Sequence, residues 1–121
     1  MKDSTFHMTM LYDFYGDLLT DRQKEFYDLY YNEDFSLAEI AENAGISRQG
    51  VRDVLVRSEA TLREMEEKTG IIERFLQVRR GLEAIEAKVA EIDALNLRSL
   101  RNTRLAELTE EIKTTTAQLK E

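Results

Sequence analysis

The chain has 121 residues, with 17 Lys plus Arg against 24 Asp plus Glu, a net charge of −7, one histidine and neither cysteine nor proline. This composition excludes disulfides, thiolate metal sites, cysteine nucleophiles and His-rich clusters, and the length excludes a TIM barrel or a full dinucleotide-binding enzyme. No apolar run approaches the ~18 residues that span a bilayer and no signal-peptide pattern is present, so the expected compartment is the cytoplasm, without membrane insertion.

Residues 1–5 are polar and are expected to fray. From His7 to Leu19, apolar residues recur at Met8, Leu11, Tyr12, Tyr15, Leu18 and Leu19, which predicts an amphipathic helix. Thr20 and Gln23 form a capping box for a second helix over 21–32, carrying Phe26, Leu29 and Tyr30 on one stripe. Ser36 and Glu39 form another box for a short helix over 37–43. Gly45 allows a tight turn, and Ser47 caps a helix that runs through Val51, Leu55 and Leu62 to Gly70.

Nine of the ten aromatic residues lie at or before Phe35. Beyond Gly70 the pattern changes: Phe75, Val78, Leu82, Ile85, Val89 and Ile92 step by three and four, a heptad seam. The register lapses over 93–103, where Asn96, Ser99, Asn102 and Thr103 are poor helix formers. It resumes through Leu105, Leu108, Ile112, Thr115 and Leu119. Two segments follow: a helix-turn-helix domain over 1–70 and a helical extension over 71–121. The lapse either folds the extension into an antiparallel hairpin or leaves its helices to pair between chains as a coiled coil. The seam exposes more apolar surface than one short chain covers, so a homodimer is expected.

Residues 1–70 hold 8 basic and 15 acidic side chains, whereas 71–121 hold 9 of each. Within the acidic half, Leu37–Val54 satisfies the helix-turn-helix template. Ile40, Ala44 and Ile46 face inward, small Ala41 sits where the helices cross, Gly45 makes the turn, and Val51 and Val54 anchor the second helix. These are packing requirements. A binding role rests on the exposed side chains Ser47, Arg48, Gln49, Arg52 and Arg57, because Arg reads guanine or clamps phosphate and Gln pairs with adenine. The bland alternative is that these arginines neutralise neighbouring acids on a solvated face.

The stretch from Phe35 to Val54 resembles region 4 of bacterial sigma factors. The lead-in is more discriminating. Leu18-Leu19-Thr20 with Gln23, Tyr30-Tyr31 with Asp34, Ser36 and Leu37, and Ile46-Ser47-Arg48-Gln49 with Val51 resemble the YlxM-like helix-turn-helix proteins of Gram-positive bacteria. The resemblance covers roughly residues 8–80. It implies an all-α, sigma-region-4-like bundle and an accessory or regulatory role in the signal recognition particle pathway, through its RNA or its GTPase. It carries over no catalytic residue. The sigma-like pattern implies nucleic-acid contacts at Ser47, Arg48, Gln49 and Arg52, but the acidic surround departs from the basic face of duplex readers.

Remaining groups read more plainly. Glu64, Glu66 and Glu67 read as a solvated face, since no EF-hand loop accompanies them. His7 with Met8 and Met10 reads as incidental. The pairs Phe14-Tyr15 and Tyr30-Tyr31 read as core, with Tyr31 the member expected to be exposed. Arg98, Arg101 and Arg104 step by three and would share one face if that stretch were helical, offering a secondary basic patch for RNA or an acidic protein. No nucleophile–base pair is visible, so neither an enzyme nor a cofactor is expected. Three readings follow: an accessory protein of the particle's pathway, a DNA-binding transcriptional regulator, or a protein-interaction module.

Overall fold

The computed structural model describes residues 5–121, and among them all regular structure is helical. The order is α1 (Thr5–Tyr15), a 3-10 turn (Gly16–Leu18), α2 (Asp21–Tyr31), α3 (Leu37–Ala44), α4 (Arg48–Thr69), α5 (Ile71–Leu95), a π-helical turn (Asn96–Leu100) and α6 (Thr103–Lys120). Two compact units result, Met1–Ile72 and Glu73–Glu121. The expectation of frayed residues at 1–4 lies outside the described residues, and Thr5 already belongs to α1.

In the first unit, α4 is the element against which α1, α2 and α3 all pack. It buries Val51, Leu55, Ser58 and Leu62, a stripe spaced four, three and four. Facing it are Met8 and Leu11 of α1, Phe26 and Tyr27 of α2 and Ile40 of α3, all at most 1% exposed. Each such side chain contributes roughly 1.5–3 kcal/mol by leaving water, so this cluster dominates the unit's stability. Ser58 is buried without penalty because its hydroxyl donates to the Val54 carbonyl at 2.7 Å.

Tyr27 stacks on Tyr12 with ring centroids 5.2 Å apart and donates its hydroxyl to the Met8 carbonyl at 2.7 Å. Tyr15 donates to Glu66 at 2.6 Å, and the same carboxylate oxygen accepts the Ile72 N–H at 2.9 Å. Glu66 is therefore a latch within the core's edge, unlike the solvated face expected of it. Its neighbour Glu64 is exposed and pairs with Lys68 at 3.0 Å.

Both capping boxes are present. Thr20 Oγ1 accepts the Gln23 N–H, and Ser36 Oγ accepts the Glu39 N–H, each reciprocated by the partner side chain. The first helix is shorter than the periodicity predicts. It gives way at Tyr15 to the 3-10 turn, and buried Leu19 reaches the core from an extended residue. Apolar spacing persists through that turn, so it does not mark where the helix stops.

In the second unit, α5 and α6 form an antiparallel hairpin. Asp93 of α5 accepts from Thr109 and pairs with Lys113 at 2.5 Å. Glu86 accepts from Thr116 at 3.2 Å and from Lys120 at 2.7 Å. At the tip, buried Asn96 spends both ends of its amide on Asn102, whose own side chain caps α6 by accepting the Leu105 N–H at 2.9 Å. Arg101 adopts a left-handed conformation with φ +47°.

The condition on which Arg98, Arg101 and Arg104 were expected to share a face, a continuous helix through this stretch, is not met at the tip. Arg98 lies in the π-helical turn, Arg101 in the left-handed link and Arg104 in the first turn of α6. The three do not step along one helix, and Arg104 is engaged by Glu107 at 3.1 Å.

Candidate nucleic-acid interface

The helix-turn-helix is α3, its turn and the first half of α4. Gly45 ends α3 at φ +71°, a conformation open to glycine without steric cost. The N–H groups of Gly45 and Ile46 both donate to the Ala41 carbonyl, at 2.9 and 3.1 Å. Ser47 then caps α4, its Oγ accepting the Gly50 N–H at 2.9 Å. A Cβ at Gly50 would lie 3.3 Å from that same oxygen.

The five expected contact residues are all exposed, but they do not share one surface. At 100° per residue, Arg48 and Arg52 lie on one flank of α4 and Arg57 lies about 140° around from Arg52. Gln49 and Asp53 occupy the outward centre between them, opposite the buried stripe. There the Gln49 amide donates to the Asp53 carboxylate at 2.9 Å. The residue best placed to read a base edge is thus held by an acid at the middle of the outward face.

Among the described residues, Arg48, Arg52 and Arg57 have no ion-pair partner. Arg48 opens a helix whose first turn holds no acid. A cation there opposes the positive end of the helix dipole, and Arg52 one turn on repels it further. An anion bound at this flank relieves both terms.

Sequence reasoning missed what lies beside Arg52. A cleft of about 210 Å³ runs along the same stripe, between Arg52 and Val56 of α4 and Tyr30, Tyr31 and Leu37. Glu59 and Arg63 continue it at seven and eleven residues from Arg52. Tyr31, expected to be the exposed member of its pair, is 8% exposed and donates its hydroxyl to Glu59. Burial, then the bond to Glu59, pushes its phenol well above the usual 10.0. Arg63 reaches the Met8 sulfur at 3.3 Å. The i, i+7, i+11 spacing of 52, 59 and 63 is visible in the sequence, but the tyrosine that engages Glu59 arrives from another helix.

The comparisons with known proteins agree with this architecture. Residues 2–100 match the family described as "UPF0122: Putative helix-turn-helix protein, YlxM / p13 like". The chain belongs to this family. A UPF0122 protein of Thermoanaerobacter sp. (strain X514) is 49% identical over 86 residues, 71% of this chain and 74% of the relative. One from Acetivibrio thermocellus is 47% identical over 97 residues, 78% and 83% of the two chains. One from Listeria innocua is 38% identical over 96 residues, 79% and 87%. The family's description names the same helix-turn-helix that α3 and α4 form here. No described helix is long and apolar enough to cross a membrane, and no three of His, Asp and Glu among the described residues come together as metal ligands.

Proposed function

We propose that this protein is a non-enzymatic, cytoplasmic accessory of the signal recognition particle pathway that binds RNA through the Arg48–Arg52 flank of α4, with Ser47 at its edge. The observation that carries the reading is a pair of exposed, unpaired arginines one turn apart at a capped helix N-terminus. Phosphate oxygens meet both the charge and the dipole there. The pathway itself is supported by the family resemblance.

RNA is favoured over duplex DNA by the centre of the same face. Seating α4 in a major groove would press Asp53 against base edges and phosphates, and would require Gln49 to leave its bond. A contact from one flank leaves Asp53 in water. Arg57 stands apart from this flank, and Arg98, Arg101 and Arg104 are not part of the proposed site.

The test titrates the full chain against the particle's RNA and a random DNA duplex of similar length, each at two salt concentrations. Tighter RNA binding, lost in Arg48→Ala with Arg52→Ala and kept in Arg57→Ala, is the expected result. Preference for duplex DNA would replace this reading with a transcriptional regulator. Binding to neither would leave a protein-interaction module, with the pathway GTPase as the partner to assay.

A further inference from the structure

The hairpin of α5 and α6 leaves one of its faces apolar and open. Glu86 and Asp93 fix which sides of the helices meet, and Leu82, Val89, Thr109 and Thr116 are buried along that contact. Beside them run two further rows, Val78, Ile85 and Ile92 on α5 and Leu108, Ile112 and Leu119 on α6. These six are 38–65% exposed. In an antiparallel pair both rows are displaced to the same side of the contact, so they form one surface. At its open end Val78 and Leu119 line a common groove.

We propose that this surface docks a second copy of this chain, two hairpins meeting face to face as a four-helix bundle. The area fits. The two rows, with Phe75, expose on the order of 500 Å² of apolar surface per chain, close to the apolar share of the ~800 Å² per partner in a standard interface. The charge fits as well. Residues 71–121 hold 9 basic and 9 acidic side chains, so two such hairpins approach without net repulsion.

Two details at the rim point the same way. Lys88, between Ile85 and Ile92, and Glu111, beside Ile112, border the face on different helices, and neither has an ion-pair partner among the described residues. With α5 of one copy beside α6 of the other, each meets its opposite. Gly81 lies between Val78 and Ile85 on this face, in the interior of a 25-residue helix. Glycine is a poor helix former, yet a Cβ there would touch nothing within the chain. A partner helix packing closely at that point gives the glycine a role.

Light scattering on the full chain at micromolar concentration tests this, with circular dichroism alongside. The expected mass is twice the 14.1 kDa of one chain. Ile85→Glu with Ile112→Glu should give the single-chain mass with unchanged helicity, since both side chains are already 45% and 41% exposed. Ala87→Glu, on the opposite side of α5, should remain dimeric. A single-chain mass for the unaltered protein would overturn the proposal. So would a double variant that stays dimeric, or an Ala87→Glu variant that dissociates equally.

Discussion

Gly45 shows how one residue holds the helix-turn-helix in shape. Its φ of +71° lets the chain reverse between α3 and α4 while Ala41 still receives two N–H groups. A Cβ there would meet nothing within 4 Å, so an alanine would suffer only the backbone cost of the left-handed region, about 1–2 kcal/mol. Gly45→Ala is expected to lower stability by that amount in denaturant titration, with helicity retained. At this scale much was legible. Thr20 with Gln23, Ser36 with Glu39, and Ser47 each cap the helix they announce, because a cap is decided within four residues. Tyr31 was not legible. Its partner Glu59 lies 28 residues away, and no local pattern tells a buried tyrosine with a remote carboxylate from an exposed one.

Among the elements, the hairpin's polar clamps make its stability depend on pH. The bonds from Lys120 to Glu86, and from Lys113 and then Thr109 to Asp93, hold both carboxyls below their ordinary values of 4.5 and 3.8. As pH falls, the unfolded chain takes up these protons before the folded one does. The stabilisation is therefore complete above the ordinary values and vanishes as pH falls through the folded ones. Lys113, held above 10.5 chiefly by its bond to Asp93, contributes below that value and loses its contribution as pH rises past its folded one. Thermal unfolding followed by circular dichroism should show Glu86→Gln with Asp93→Asn less stable than the unaltered chain at pH 7. The difference should close in acid. A gap that persists in acid would mean the loss came from packing.

The same hairpin marks the limit of periodicity as evidence. The three-four spacing located both helices and the break between them, but it could not separate the row that packs within the chain from the row left open. That division is made by Glu86 and Asp93, which choose the side of α5 facing α6. The continuous helix on which a shared arginine face at the tip depended is absent for a related reason. Asn96 is committed to Asn102, and the chain turns through a left-handed Arg101 instead of continuing a helix.

For the whole molecule, charge decides what the helix-turn-helix can contact. The 8 basic and 15 acidic side chains of residues 1–70 repel a polyanion overall, so any nucleic-acid contact must be local. The two arginines on one flank of α4 meet that requirement; the outward centre, held by Asp53, does not. The most direct measurement is the slope of log affinity against log salt for the particle's RNA, with the unaltered chain and with Arg48→Ala plus Arg52→Ala. Each lost phosphate contact should flatten the slope by about 0.7–0.9, so the double variant should flatten it by between one and two while binding more weakly. An unchanged slope and affinity would show that this flank does not touch phosphate and would contradict the account.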